Sequence, residues 1–302
     1  MNPVQPHLDR LAAADRWIYR AGRESSAEPA AWTAMALAVH GEPAAAERAA
    51  AWLCMLQQPN GAVGVCATEH EPHWPTGLAM LAWSKVDRVA GDERYGAAAD
   101  RAARWALSNR GKTAPRSPQV GHDTTLVGWS WAADTHSWLE PTCFFVLGLN
   151  SAGYGAHART REGVRLVADR LLPAGGANYG NTIVLGQPLP AHLQPSGLAM
   201  LALAGEPESD GRVGRTLDYL EQSIGSRTAP ASLALACLGL TAHGRRPAQA
   251  DALIGAALDR NEVEQSAAHE LALLLLAAHS DVDWLRAPGS PVAAATLAEP
   301  LP

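Results

Sequence analysis

One segment pattern recurs six times along the chain and constrains the fold more than any other feature. Each copy begins with X-Pro, or with small residues in the last copy, and continues with apolar residues. The three clearest copies, WPTGLAMLAW, EPTCFFVLGL and QPSGLAMLAL, start at Trp74, Glu140 and Gln194, and the weaker ones start at Glu28, Ala229 and Glu264. Because proline is accepted at a helix start, where its missing N–H loses no partner, the pattern predicts six apolar helices.

A second kind of helical segment precedes each copy. Apolar residues at helical spacing are interrupted there by charged ones, as where Leu217 and Leu220 flank Asp218. These segments span residues 7–20, 43–58, 92–109, 157–172, 211–224 and 247–260. Six pairs, each with an amphipathic outer helix and an apolar inner helix, predict an all-α fold, the (α/α)6 toroid of six helical hairpins. We expect residues 1–282 to form this single toroid and residues 283–302 to form an Ala/Pro-rich tail.

The composition predicts a packed chain and limits the classes of binding partner that are expected. The 302 residues are 47 % hydrophobic and only 18 % charged, unlike the charge-rich composition of disordered proteins. A net charge of −6 does not provide the basic surface typical of nucleic-acid binding, so no nucleic-acid partner is expected. The N-terminal residues do not have the pattern of a secretory signal peptide, and no apolar run is long enough to span a bilayer. These features predict a cytoplasmic protein, with peripheral membrane attachment as an alternative.

The links from outer to inner helices differ greatly in length. Long links cover residues 59–73, 110–139 and 173–193, whereas the fifth and sixth hairpins have short ones. Loops of this length inside a packed domain are usually functional or disordered. All three lead to the N-termini of inner helices and therefore to one mouth of the toroid. We expect the binding site there, where helix dipoles give a partly positive field.

The turns before the inner helices resemble those of the prenyltransferase and squalene-cyclase (terpene cyclase) superfamily, in which Gln, Gly and an aromatic residue recur. The segment WLCMLQQPNGAVG keeps Gln57 and Gly61, and aromatic residues stand in VGWSW (127–131) and GGANYGN (175–181). The resemblance covers nearly the whole chain. It implies a toroid that holds an isoprenoid or other apolar substrate in its central cavity, for acid-initiated cyclisation or prenyl transfer. The family's Asp-any-Asp-Asp and Asp-any-Cys motifs are absent.

The segment GWSWAADTHSWLEPTC concentrates candidate catalytic groups before an inner helix. Asp134 is the expected proton donor, and His136 stands close enough to adjust or reload it. Asp123, the one acid that HDTT keeps from the family's acid motif, is a second candidate. Glu140 is a third, since the aromatic loop leads into it. Asp134 also fits a simple turn, and carboxylates at helix starts, such as Glu140 and Glu28, are also stabilised by the helix dipole.

Aromatic and amide side chains near the same mouth are candidate substrate contacts. Aromatic faces stabilise cations and shape apolar cavities. The candidates are Trp74, Trp129, Trp131, Trp138, Phe144, Tyr179, Asn178, His192 and Gln194. The alternative is structural: the tryptophans plug the mouth, and the amides and imidazole satisfy the loop backbone.

Two further functions remain open at this point. One is a non-catalytic toroid that binds a lipid, a peptide or a partner protein, or that forms a homodimer. The other is a zinc enzyme, because Cys66, His70 and His73 have a spacing that could chelate zinc. The four cysteines have no CxxC spacing, which indicates neither a disulfide framework nor a zinc ribbon. No cofactor is expected for the leading hypothesis, with Zn or Mg as the alternative.

Overall fold

The computed structural model of the protein describes residues 4–208, 210–263 and 268–279. Within these ranges the regular structure consists of twelve helices and one short hairpin. The elements are α1 (Gln5–Ala12), α2 (Ala27–Val39), α3 (Pro43–Leu56), α4 (Thr76–Ala90), α5 (Gly96–Ser108), α6 (Leu139–Ser151), α7 (Ala158–Asp169), β1 (Ile183–Val184), β2 (Gln187–Pro188), α8 (Leu193–Ala202), α9 (Arg212–Ser223), α10 (Pro230–Ala242), α11 (Ala250–Val263) and α12 (Ala268–Ala278). Glu264 and the predicted tail, 283–302, lie outside the described residues, and the domain boundary at 282 stays a prediction.

The twelve helices form two concentric rings. Each even-numbered helix packs against the even-numbered helices before and after it, and α12 packs against α2, which closes the inner ring. Each odd-numbered helix lies outside and contacts two neighbouring inner helices. The all-α toroid predicted from the repeat is therefore confirmed. None of the described helices has the length and hydrophobicity needed to cross a membrane.

Glycines allow two pairs of inner helices to pack backbone against backbone. A Cβ added to Gly197 of α8 would lie 2.4 Å from the Leu235 carbonyl oxygen of α10, and one added to Gly239 would lie 2.6 Å from the Gly197 oxygen. Gly77 of α4 and Gly148 of α6 repeat this arrangement. Contacts this short exclude any side chain, which explains why small residues occupy these positions of the repeat.

The hydroxyl residue of the Pro-Ser/Thr motif anchors the preceding loop. Thr76, Thr142 and Ser196 accept hydrogen bonds from the buried backbone N–H groups of Val63, Trp129 and Ala177, at 2.9, 3.0 and 2.8 Å. Each hydroxyl donates in turn to a carbonyl one turn earlier. The prolines of α2, α6 and α8 lie at the third helical position, slightly later than the sequence predicts. Their missing N–H is still one that has no partner within the helix.

The Gln/Gly turn has a packing role. Gly61 adopts φ +98°, and a Cβ there would lie 2.3 Å from the Arg101 carbonyl oxygen of α5. Gly175, at φ +100°, approaches the Arg215 oxygen of α9 in the same way, at 2.4 Å. Gln57 Nε2 donates to the Ala98 oxygen at 2.9 Å. The turn therefore docks each hairpin onto the next outer helix.

The first outer helix is shorter than predicted. The segment 7–20 is helical only as far as Ala12, and residues 13–26 form a loop. This loop returns to the start of α2, where the Ser26 N–H donates to the Trp17 oxygen at 2.8 Å. The predicted helix is interrupted because the loop side chains have tertiary partners, as Trp17 does in packing against Trp52 at 5.3 Å. The loop carries Tyr19 to the mouth of the toroid.

Candidate active site at the axial mouth

The starts of four inner helices bring ionisable and amide side chains together at one mouth of the toroid. They are Glu28 on α2, Glu140 on α6, Gln194 on α8 and His269 on α12. Each stands in the first turn of its helix. We call this group, with Tyr19, the axial site.

Glu28 is held as a carboxylate by three neighbours. Tyr19 donates its hydroxyl to Glu28 Oε2, Trp32 Nε1 donates to Oε1 at 3.4 Å, and His269 Nε2 lies 3.4 Å from Oε1. Burial alone would raise the pKa of Glu28, but the positive charge of His269 and these hydrogen bonds outweigh it, so the pKa lies below its usual value. The Glu28 side chain is 16 % exposed, so solvent reaches it.

Glu140 has the opposite environment. The residue is 6 % exposed, and its one hydrogen bond from a described side chain comes from Gln194 Nε2 at 3.3 Å. Burial and the negative charge of Glu28 raise the pKa of Glu140 to about 7. The two carboxyl groups are close enough to affect each other's titration, and near neutral pH one is ionised while the other can carry a proton.

An aromatic wall adjoins the carboxyl groups. Trp32, the partner of Glu28, contacts Phe144 edge to face at 6.4 Å between ring centroids. Trp74 stacks on Phe144 at 5.9 Å and meets Trp131 at 4.9 Å. Trp74, Trp131 and Phe144, predicted as substrate contacts, are thus brought together, and Gln194 joins the site through Glu140.

Other predicted site residues lie on the loops. Asp134 is exposed over 88 % of its side chain and lies 3.5 Å from Lys112. Asp123 is paired with Arg116, and hydrogen bonds from Arg116 and Thr125 hold its pKa well below the usual range. Neither has a described contact with Glu28 or Glu140. His136 is exposed and lies against Trp138, with ring centroids 4.6 Å apart.

The remaining aromatic and amide candidates have structural partners. Trp129 is buried, donates Nε1 to the Ala106 oxygen at 2.9 Å and lies under the Arg159 guanidinium. Trp138 caps α6. The ring centroids of Tyr179 and His192 lie 5.3 Å apart, and the side-chain Oδ1 of Asn178 accepts hydrogen bonds from two backbone N–H groups of its own loop. Their roles in substrate binding stay predictions.

Two of the expected zinc ligands, Cys66 and His73, have other side-chain partners, and the third, His70, is exposed. The Cys66 thiol lies 3.4 Å from the Thr68 hydroxyl, and His73 Nε2 lies 2.9 Å from Gln58 Nε2 while its ring packs on Trp105. Among the described residues no group of three His, Cys, Asp or Glu side chains is arranged to hold a metal ion. Metal content itself stays a prediction.

Sequence reasoning missed most of the environment of Glu28. Glu28 was noted as a helix-start carboxylate, and its position before Pro29 matches that of Glu140 before Pro141. That shared position was the available indication that the two belong together. The sequence also places His269 on the sixth inner helix, where it could face the axis or be a core residue, whereas Tyr19 gives no indication because its contact depends on the loop after α1.

No family model and no curated protein sequence matches the chain. Solved structures do match. A glycosidase in its wild-type form has a TM-score of 0.59 over 92 % of this chain and 96 % of its own, at 12 % identity. An α-amylase from Clostridium perfringens has a TM-score of 0.58 over 88 % and 90 %, at 9 % identity. A glycosidase variant in complex with glucose has a TM-score of 0.57 over 91 % and 97 %, at 12 % identity. The fold is shared with glycosidases.

These matches correct the family predicted from the sequence. The assignment to the terpene cyclase and prenyltransferase superfamily is wrong, and so are the isoprenoid substrate and the cyclisation chemistry expected with it. The two alternatives, a non-catalytic binding toroid and a zinc enzyme, are not better supported. The physical reason for the error is visible in the turns: Gln57 and Gly61 carried the resemblance, and both act in packing one hairpin on the next.

Proposed function

We propose that the protein hydrolyses glycosidic bonds at the axial site, with Glu140 as the general acid and Glu28 as its carboxylate partner. The observation that carries this proposal is the contrast between two carboxyl groups at one mouth: Glu28 accepts hydrogen bonds from Tyr19 and Trp32 beside His269, whereas Glu140 is buried and accepts one only from Gln194 among the described side chains. Glycoside hydrolysis characteristically uses such a pair, one group to protonate the leaving oxygen and one to act on the anomeric carbon. The shared fold with a glycosidase bound to glucose supports a sugar as the substrate class.

The geometry assigns each group a step. Glu140 gives its proton to the glycosidic oxygen as the bond from that oxygen to the anomeric carbon breaks. Glu28 either accepts a proton from the water whose oxygen bonds to the anomeric carbon, or bonds to that carbon itself. In the second case water then breaks the glycosyl ester and gives a proton back to the Glu140 carboxylate. Tyr19 and His269 keep Glu28 ionised and are positioning residues. The anomeric configuration of the first product, read by proton NMR, distinguishes inversion through water from retention through a glycosyl-enzyme.

The walls suit a sugar ring. The partly exposed rings of Trp74 and Trp131, packed on the buried Phe144, offer apolar surface, and the Gln194 amide adds a polar group that can hydrogen-bond hydroxyls. Ligand sites of this kind combine apolar walls with a few placed polar groups. The carboxyl groups supply the chemistry and the aromatic wall orients the substrate.

The test is hydrolysis of nitrophenyl glycosides and of glucose polymers by the full chain and by two isosteric variants. Glu140→Gln cannot donate the proton and Glu28→Gln cannot act as a carboxylate, so we expect each to lower kcat by about 100- to 10,000-fold. The loss in Glu140→Gln is smaller for glycosides with good leaving groups, since these need less protonation. Glu93→Gln, on the exposed turn between α4 and α5, is the matched control and keeps full activity.

Two outcomes would overturn the proposal. One is the absence of hydrolysis with every glycoside and glucan tested. The other is full activity in Glu140→Gln together with loss in Asp134→Asn, which would move the acid to the exposed loop.

A further inference from the structure

A cavity lies between loop three (109–138) and loop four (170–192), outside the axial site. Its volume is about 380 Å³, which lies within the range of small-molecule sites. His136 and Ser137 of loop three and Asn181 of loop four form part of its wall. Neither Glu28 nor Glu140 lines this cavity. We call it the flank pocket.

The ionisable side chains that line the flank pocket are all basic. They are Lys112, His122, His136 and Arg170. The nearest acids are turned elsewhere: Asp134 meets Lys112 at the exposed surface, and Asp169, the partner of Arg170, lines a neighbouring cleft together with Asp123. The described lining thus offers positive charge and no carboxylate, which favours an anionic ligand.

Arg170 gives the second, independent indication. The residue is 4 % exposed, and Nη1 is paired with Asp169 and donates to the Asp123 backbone oxygen at 3.2 Å. Its Nε has no hydrogen-bond partner among the described residues. A buried N–H of a cation left without an acceptor is costly, so the Arg170 side chain at the pocket wall has unused hydrogen-bonding capacity.

The rest of the lining indicates what accompanies the anion. Val120, Leu126 and Val184 supply apolar surface around the basic groups. Burial and the charge of Arg170 lower the pKa of His122 to about 4, so its ring is a neutral hydrogen-bonding group at neutral pH. A ligand with an anionic end and an apolar body matches this combination.

We infer that the flank pocket binds a small organic anion, with phosphate or carboxylate oxygens on Arg170 and Lys112 and an apolar body against Val120, Leu126 and Val184. The ligand would bridge loop three and loop four. Both loops reach the axial site, because the Leu139 N–H at the start of α6 donates to the Tyr179 oxygen of loop four at 3.1 Å. The site is nevertheless distinct from the one that would bind sugar.

Calorimetric titration of the full chain at pH 7 tests the inference with phenyl phosphate and benzoate. We expect at least one of these two compounds to bind saturably with a stoichiometry of one. Which compound binds shows whether the pocket prefers a phosphate or a carboxylate group. Inorganic phosphate lacks the apolar body and should bind more weakly. Phenol lacks the charge and should give no saturable heat.

Three variants locate the binding. Lys112→Gln removes one charge-assisted contact and should weaken binding by about tenfold. Ala114→Trp, at an exposed position of the pocket wall, should abolish binding by filling the space. Arg170→Gln should also abolish binding. This variant removes a buried ion pair, so if the Arg170→Gln protein does not fold, the two variants at exposed positions still test the inference. Arg104→Gln, with 64 % exposure against 62 % for Lys112, is the matched control and should bind normally.

The inference fails if neither organic anion binds, if phenol binds as tightly, or if Lys112→Gln and Ala114→Trp bind like the unmodified chain. Because the readout is binding heat and not turnover, this failure is separate from failure of the hydrolase proposal.

Discussion

At the scale of single residues, two glutamates in equivalent places have opposite behaviour. Glu28 and Glu140 each stand one residue before the proline of an inner-helix start. Glu28 interacts with Tyr19, Trp32 and His269, which lower its pKa. Glu140 is buried and lies near the negative charge of Glu28, which raises its pKa. The difference therefore comes partly from Trp32, one turn later on the same helix, and partly from Tyr19 and His269, which other elements supply.

The raised pKa of Glu140 has a consequence for stability that does not depend on catalysis. In the unfolded chain a glutamate ionises near pH 4.5, and in the folded protein this one ionises near pH 7. The folded state therefore gains from a protonated Glu140 at low pH, and this contribution is lost as the pH rises through about 7. Since one pKa unit corresponds to about 1.4 kcal/mol, ionisation of Glu140 costs up to about 3 kcal/mol at about pH 8.

We expect Glu140→Gln to be more stable than the unmodified protein at about pH 8 and nearly equal to it at about pH 4, because Gln cannot ionise. Urea unfolding at the two pH values measures the difference, with Glu93→Gln as the control for loss of an exposed carboxylate. Equal stability of Glu140→Gln and the unmodified protein at the higher pH would contradict the assigned protonation.

At the scale of elements, the small residues of the repeat set the distance between inner helices. The approach of α8 to α10 at Gly197 leaves no room for a methyl group, since the Leu235 oxygen lies 2.4 Å from its position. Overpacking of this kind against backbone is relieved only by moving a helix.

We expect Gly197→Ala to lower the free energy of unfolding by about 1–3 kcal/mol, despite the better helix propensity of alanine. Gly214→Ala in the outer helix α9 is the matched control, because nothing lies within 4 Å of the added Cβ. It should be neutral or stabilising by up to about 1 kcal/mol. Denaturant unfolding measures both, and a Gly197→Ala protein as stable as Gly214→Ala would show that the two helices can separate freely.

At the scale of the whole molecule, the sequence repeat was enough to predict the fold, but it predicted only part of the candidate site. Helix starts, apolar faces and hairpin order are local properties of the sequence. Pro141, at a helix start, and Gly197, at a close helix contact, are examples of residues that reveal them. Two of the three partners of Glu28, Tyr19 and His269, come from the loop after α1 and from the last hairpin, so only the closed ring brings them to it. The family was misread because Gly61 reports on the docking of hairpins, which says nothing about chemistry at the mouth.

Ring closure can be tested through the pH dependence of activity. His269→Asn removes the largest of the interactions that lower the pKa of Glu28, so this pKa should rise. We expect the acidic limb of the kcat/KM profile to move to higher pH. His157→Asn, at the N-cap of the outer helix α7, should leave the profile unchanged, since asparagine caps helices well. An unshifted acidic limb in His269→Asn would contradict the coupling between α12 and α2.

The contact between α2 and α12 also bears on the order in which the chain matures. Glu28 is made early during synthesis, yet His269, which holds its charge, follows 241 positions later in the sequence. A chain still growing from the ribosome has every other helix start of the mouth before it has this one. A chain that ends before α12 therefore lacks the side chain that contributes most to lowering the pKa of Glu28.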